Sequence, residues 1–508
     1  MSARQPLSPD TPVHADAHAD AGAYARAHAS TVSLPVDTAS GAGLSAFQTL
    51  SVAGLDGNHR RTADQEPDAD LALPRHIGKY LVVSRLGEGA TSEVFLADDE
   101  FHQRQVAIKR VRAASVGESV ENHYRERFFA AEAALVGRLQ HPNVVKIFDA
   151  VADPQQPYLV MEYVPGDTLR RFCRPDTLLP LDQIVEIGFK CAMALGYVAR
   201  QGLIHRDVKP ANILATLTND LVTDIKITDF GSVFDHTSDH TQVFRVGSLA
   251  YMSPEQLEGD TLDTRADMYS LAAVLYHLVA GRPPFDAANQ VALMNQIYNA
   301  EVPSLMDLRD GVPPRMDALL RRSLSKRPAD RPAGWDAFAA DWSKLVAQGD
   351  VAVGRLQDVL DSERFNLLRT LDFFSAFGDV ELWEVVRRAQ WLRHKYGAAL
   401  YRKGEAGKTF HIIAQGKVEV YRDSQRVAQL GAGTSVGEMA YLAPSADLRL
   451  HVADLIVSSP ATTIAFTPES LALLSQATRH RFDKAFIVVL VRRLHAAHEA
   501  MSHPRRIL

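Results

Sequence analysis

The order in which the periodicities change along this chain constrains its fold more than any other feature. From Tyr80 the sequence reads YLVVSRLGEGATSEVFLADD and then QVAIKRV, two β-rich runs around a glycine-rich turn. A helical pattern follows from about Tyr124 to Leu139, and VVKIFDAV and YLVMEY read as further strands. From Leu181 onward helices dominate, in LDQIVEIGFKCAMALGYVARQG, ADMYSLAAVLYHLVAG and ALLRRSLS. Strands first and helices afterwards predict an α+β domain with two lobes.

The chemistry-bearing residues fall at the joints of this pattern. Gly87-Glu88-Gly89-Ala90-Thr91-Ser92-Glu93-Val94 lies between two strand-like runs, where missing β-carbons let a backbone close over phosphates; a plain hairpin turn reads the same way. Val106-Ala107-Ile108-Lys109 then puts a lysine on the next strand, facing the same cleft. His205-Arg206-Asp207-Val208-Lys209-Pro210-Ala211-Asn212 follows, and after the strand-like IKIT comes Asp229-Phe230-Gly231. Together with Ser253-Pro254-Glu255, these residues resemble the eukaryotic-type (Hanks-type) serine/threonine protein kinases, especially their bacterial members, over roughly residues 80 to 345.

That resemblance implies a bilobal kinase fold that moves the terminal phosphoryl group of ATP to serine or threonine hydroxyls of protein substrates, itself included. Magnesium, or manganese in its place, serves as the cation. Lys109 would grip the α- and β-phosphates, held by Glu132, with Glu126 as the alternative. Asp207 would orient and deprotonate the acceptor hydroxyl, Lys209 would neutralise the transferring group, and Asn212 and Asp229 would hold the metal. Gly87, Gly89, Val94, Ala107, Glu162 and Val164 would line the ATP site, beside Met161 as gatekeeper. His205 is expected to pack under Phe230, Glu255 to pair with Arg331, and Asp267 to hold the catalytic loop. Ser92 stands where the loop pattern has a third glycine, and Ser248 where a threonine is usual. Thr237, Ser238, Thr241 and Ser248 are the candidate autophosphorylation sites, since a phosphate there could pair with Arg206. The complete set Lys109, Asp207, Asn212 and Asp229 speaks against the alternative, a catalytically inactive pseudokinase scaffold.

A second change of pattern comes near Gly349. VGRLQDVLDSERFNLLRTLDFF has helical periodicity, with Leu356, Val359, Leu360, Leu367, Leu368 and Leu371 near one face. Short alternating segments separated by glycine follow, predicting a small β-barrel or jelly roll, and helical pattern returns before the end of the chain. Residues of about 365 to 495 look like a cyclic-nucleotide-binding domain, in LDFFSAFGDVEL, a turn at Gly404, HIIAQGKVEV and Gly437-Glu438-Met439-Ala440. The resemblance implies an effector such as cAMP or cGMP, with Glu438 at the ribose, backbone amides of Gly437 to Ala440 at the cyclic phosphate, and an arginine on that phosphate. Position 447 is Asp where that arginine is expected, and Arg449 is the nearest candidate. A degenerate module that binds another ligand or only a partner is the competing reading. The helix-turn-helix that DNA-binding members carry does not follow, so no DNA partner is expected by that route.

The expected organisation is therefore a tail over 1–75, a kinase domain over 76–346, a helical linker over 347–366 and a cyclic-nucleotide-binding-like domain over 367–500. The tail is rich in Ala, Asp, His, Ser and Gly, too poor in large apolar side chains to offset its ordering entropy, and is expected to be disordered; His14, His18 and His28 read as low-complexity drift rather than a metal tract. Of 508 residues, 61 are acidic and 55 basic, a formal charge of -6 that provides no general attraction to nucleic acid or anionic membrane. Cys173 and Cys191 lack metal-ligand spacing and read as free thiols in a reducing compartment. With no apolar leader and no membrane span in the sequence, a cytoplasmic protein is expected.

Overall fold

Alternation of apolar and polar residues across Tyr80–Val111 becomes an antiparallel meander in the computed structural model, which describes residues 73–89, 92–111, 129–130, 132–153, 156–218, 221–230, 249–352, 361–443, 445 and 449–502. Strands β1 (His76–Ile77), β2 (Tyr80–Glu88), β3 (Ser92–Asp99), β4 (Arg104–Val111), β5 (Ile147–Val151) and β6 (Tyr158–Glu162) form one sheet in the order β1-β2-β3-β4-β6-β5. Because strand side chains alternate between faces, Phe95, Ala97, Val106 and Ile108 close one core while Ala107, Leu159 and Met161 face the other way, toward the second lobe.

The second lobe contains β7 (Gly166–Thr168), helix α1 (Leu181–Arg200), β8 (Ile213–Thr218) and β9 (Leu221–Ile227), the three strands forming a small sheet in that order. Helices α2 (Pro254–Glu258), α3 (Thr264–Ala280), α4 (Gln290–Asn299), α5 (Pro314–Ser323) and α6 (Trp335–Ala347) follow. Helix α3 is buried almost all round, as its nearly unbroken apolar sequence requires. The strands-then-helices order thus appears as two lobes.

Of the helical linker expected over 347–366, residues 361–366 are helical. Helix α6 ends at Ala347, and Gly349 adopts φ +77°, a left-handed conformation that stops the helix. Residues 353–360, with Leu356, Val359 and Leu360, lie outside the described residues. Helix resumes as α7 (Asp361–Thr370), which buries Leu368, and α8 (Asp379–Arg388) follows.

The glycine-punctuated region forms β10 (Gln390–His394), β11 (Ala399–Tyr401), β12 (Phe410–Gln415), β13 (Val418–Arg422), β14 (Gln425–Leu430), β15 (Ser435–Val436), a short helix α9 (Glu438–Leu442), β16 (Asp454–Val457) and β17 (Ala461–Phe466). These strands make two four-stranded antiparallel sheets, β10-β17-β12-β15 and β11-β16-β13-β14, the paired layers of a jelly roll. Helices α10 (Pro468–Ala472) and α11 (Gln476–Ser502) complete the domain. Phe482 and Phe486 of α11 sit with ring centroids 6.1 and 4.9 Å from Phe410, sealing the helix to the barrel. A continuous buried cluster joins the helical lobe to α7, α8 and this barrel, and Ala69–Leu508 forms one compact unit. Among the described residues no helix is long and apolar enough to cross a membrane.

Candidate active site and effector cassette

Strand register brings the first three site residues into line. Gly87 pairs with Val94 across β2 and β3, and Val94 pairs with Lys109 across β3 and β4. The Lys109 ammonium donates to Glu132 Oε1 at 2.8 Å and Oε2 at 3.1 Å, and to Asp229 Oδ1 at 2.7 Å. One cation therefore ties the upper sheet, the segment before β5 and the residues after β9. Burial alone would push the Lys109 ammonium down, but the Asp229 and Glu132 carboxylates outweigh it and raise its pKa. Burial likewise opposes ionisation of Asp229, yet Lys109 holds that carboxyl below the usual range. Of the two glutamates the sequence leaves open, Glu132 meets Lys109; Glu126 lies outside the described residues.

The catalytic-loop sequence is held in a conformation it would not choose alone. Arg206 and Asp229 have φ of +65° and +63°, uncommon for side chains with a β-carbon. Asp267 of α3 accepts from the backbone N–H of His205 at 2.7 Å and of Arg206 at 2.8 Å, while Gln256 donates to the Arg206 carbonyl at 2.9 Å. His205 Nε2 lies 3.0 Å from the Thr228 carbonyl, which can only accept, so the ring donates there and Nδ1 accepts from the Asp207 amide at 3.3 Å. Its ring packs 4.6 Å from that of Phe230. Lys209 Nζ donates to both Asp207 oxygens, at 2.9 and 2.7 Å, and Asn212 Nδ2 to the Asp207 carbonyl and Oδ2, at 2.8 and 3.0 Å. Asp207, Lys209 and Asn212 are thus one cluster, in a single fixed geometry.

Beside them Ala107 and Met161 form an apolar patch with Val94, Val164 and Leu214. The Gly89 N–H donates to the Ser92 carbonyl at 2.7 Å, closing the base of the glycine-rich turn, whose Ala90 and Thr91 lie outside the described residues. Glu162 directs its side chain to Lys226 at 3.1 Å, so only its backbone is turned to the patch.

In the C-terminal barrel, Gly437 opens α9 with φ +81°, and a β-carbon there would come 2.4 Å from Tyr401 Oη. Glu438 and Ala440 are both buried. The Glu438 carboxylate is ion-paired to the Arg493 guanidinium of α11, which also donates to the Ser435 carbonyl at 2.7 Å. Burial raises the Glu438 pKa, and Arg493 opposes that rise. Arg449 is elsewhere: its Nε donates at 3.1 Å to the carbonyl of Ala443, the residue that ends α9, as arginines do at helix C-termini. The structure joins Glu438 to Arg493 because α11 packs back across the barrel.

A model of the protein kinase domain matches residues 80–343, more than half of the chain. The chain belongs to the protein kinase family. A model of the cyclic nucleotide-binding domain matches residues 391–477, so this kinase carries that domain C-terminally. Serine/threonine-protein kinase PknB of Mycobacterium leprae is 35% identical over 269 residues, 51% of this chain and 42% of the relative. PknL of Mycobacterium tuberculosis H37Rv is 35% identical over 273 residues, 53% and 66%. A probable serine/threonine-protein kinase of Corynebacterium efficiens, CE0033, is 38% identical over 279 residues, 53% and 41%. The chain thus spans less than two thirds of the length of these relatives, through its kinase half.

Two side chains of this kinase's sites escape sequence reasoning, each for a stated reason. Gln256 sits in a capping box at the start of α2, which the sequence SPEQ does announce, but its bond to the catalytic loop crosses 50 residues. Arg493 is one of two adjacent arginines on a long helix, and nothing in its neighbours points to Glu438. The candidate phosphosites Thr237, Ser238, Thr241 and Ser248, like Gly231, lie outside the described residues.

The barrel also has a testable acid response. Thr463 Oγ1 lies 2.9 Å from both His394 and His411, and burial, with His394 and His451 nearby, pushes His411 down to about 4. Unfolded, that imidazole binds a proton near its usual 6.5; folded, it does not until about 4. Its stabilising contribution is therefore complete above pH 6.5 and lost as pH falls toward 4, at up to about 1.4 kcal/mol per pH unit. Denaturant titrations between pH 6.5 and 4.5 should show a shallower loss for His411→Gln than for the unaltered protein. Equal slopes would remove His411 from the account.

Proposed function

We propose that this chain is an ATP- and magnesium-dependent serine/threonine protein kinase whose output is set by its cyclic-nucleotide-binding domain. The observation that supports it best is the Lys109 ammonium, which spans the cleft to Glu132 and Asp229 above the Asp207–Lys209–Asn212 cluster. In this reading Val94, Ala107 and Val164 enclose the adenine, the backbone at Glu162 and Val164 meets its edge, and Gly87 and Gly89 let the turn approach the phosphates. Lys109 holds the α- and β-phosphates. Asp207 accepts the hydroxyl proton and Lys209 balances charge on the group in flight. Lys109 engages one Asp229 oxygen, and Asn212 spends its amide nitrogen on Asp207, which leaves oxygen atoms of both as hard donors suited to magnesium. Bound there, the cation neutralises phosphate charge. The dependence on ATP, and two buried free thiols, favour the cytoplasm.

The test is transfer of radiolabelled phosphate from ATP to a generic acceptor protein and to the chain itself, with and without magnesium. Label on serine and threonine is expected, and a signal no higher than that of Asp207→Asn would instead support the pseudokinase scaffold. Autophosphorylation at Thr237, Ser238, Thr241 or Ser248 is part of the proposal. Mass spectrometry finding all four unmodified after incubation with ATP and magnesium would refute it.

For the effector, we infer a cyclic nucleotide, cAMP or cGMP, with Glu438 accepting from the ribose and Arg449 or the amides at the start of α9 meeting the phosphate. Calorimetry should then show binding that Glu438→Ala abolishes. No heat at millimolar nucleotide would favour the degenerate module.

A further inference from the structure

The C-terminal half docks on the kinase lobe through buried charge as well as apolar packing. Lys190 of α1 is 3% exposed and donates to Asp361 Oδ2 of α7 at 3.1 Å, with Glu186 at 3.5 Å and Asp224 at 3.6 Å. Glu186 in turn accepts from the Ser362 hydroxyl at 2.8 Å. Burial by itself favours the neutral amine, but these three carboxylates together raise the Lys190 pKa. Alongside, Phe189 of α1 packs 6.0 Å from Phe365 and 6.1 Å from Trp383.

The same contact reaches the β8–β9 hairpin, which lies between Asn212 and Asp229. On β9, Asp224 accepts from Arg387 of α8 at 2.9 Å and from Asn143 Nδ2 at 3.0 Å. Asn143 also donates to the Ile225 carbonyl at 2.8 Å, the Ile227 N–H to the Asn143 carbonyl at 2.9 Å, and the Val145 N–H to the Ile227 carbonyl at 2.9 Å. The turn around Asn143 follows the segment bearing Glu132, and β9 runs directly into Asp229. Asp224 is therefore the point at which the C-terminal domain, the Glu132 segment and the Asp229 strand meet.

We propose that Asp224 is a positioning residue for phosphoryl transfer, held from the C-terminal domain by Arg387, so that this bridge sets how Glu132 and Asp229 meet Lys109. The proposal rests on the reading of the chain as an active kinase. An ion pair whose side chains remain 27% and 24% exposed adds little to stability, so its effect is expected in rate rather than in folding.

The full chain carrying Arg387→Ala, Arg387→Lys or Asp224→Asn is compared with the unaltered protein in kcat and KM for ATP, thermal midpoint and amide exchange read by mass spectrometry. Arg387→Ala should lower kcat about tenfold, with KM changed less than about threefold. Its midpoint should stay within about 3 °C, and exchange should quicken at Val145 and Ile227. Arg387→Lys, which keeps the charge, should retain most of kcat, and Asp224→Asn should resemble Arg387→Ala. Unchanged kcat and exchange in Arg387→Ala overturn the proposal, and so does a loss that the lysine variant shares together with a lowered midpoint. A chain no more active than Asp207→Asn overturns the kinase reading and, with it, a role of Asp224 in transfer. Exchange at Val145 and Ile227 then shows separately whether the Arg387 bridge holds the hairpin.

Discussion

Asp207→Asn is expected to lower phosphoryl transfer by about a thousandfold, within the range for removing a positioned general base. The substitution preserves shape: an asparagine oxygen can still accept from Lys209 or Asn212, which meet the carboxylate at 2.7 to 3.0 Å. What it removes is the negative charge that balances Lys209 and the basicity that takes the hydroxyl proton. Lys109→Met should be comparably severe for a different reason. It removes the ammonium to which both Glu132 and Asp229 are bonded, so that the two carboxylates lose the charge that holds them together in the cleft. Initial rates with radiolabelled ATP check both, and either variant within about threefold of the unaltered protein would remove its residue from the proposed chemistry.

The largest effect on stability is expected from Arg331→Ala. The Arg331 side chain is fully buried and donates to both oxygens of Glu255, at 2.6 and 2.8 Å, and to the carbonyls of Ser325, Arg265 and Lys326 at 2.9, 2.9 and 3.2 Å. Truncation leaves a buried carboxylate and three carbonyls without these donors, a loss of about 3 to 5 kcal/mol. Arg331→Lys should recover only part, because a lysine head cannot reproduce the planar fork. Equilibrium denaturation gives the measurement, and a midpoint unchanged in Arg331→Ala would show that the pair contributes nothing net. Glu255 anchors α2, whose Gln256 holds the Arg206 carbonyl, so partial loss of transfer is expected as well.

Local chemistry made the kinase lobes legible. The glycine turn, the lysine two residues beyond Ala107 on β4, and the run from His205 to Asn212 are short-range patterns, and strand alternation alone puts Ala107 and Lys109 on one face. The pairing of Glu255 with Arg331 was legible too, through family resemblance rather than spacing. The linker was legible in part: the apolar face read from Leu356 to Leu371 appears as α7 over Asp361–Thr370, after Gly349 turns the chain in the left-handed region, and 353–360 lie outside the described residues. In the barrel, glycine-punctuated alternation announced the strands, whereas nothing local to Arg493 announced its pairing with Glu438.

By itself, then, the sequence determined the two lobes, the jelly roll and the short motifs that bear the chemistry, because periodicity and turn residues act over a few positions. Only the tertiary structure decided that Arg493 caps Glu438, that Lys190 is neutralised by Asp361 from helix α7, and that Arg387 reaches Asp224. Each of these joins residues 55 to 171 positions apart. Which of many similar arginines and carboxylates pair at such separations depends on how whole helices pack, and packing is set by the shape of the assembled core rather than by any local pattern.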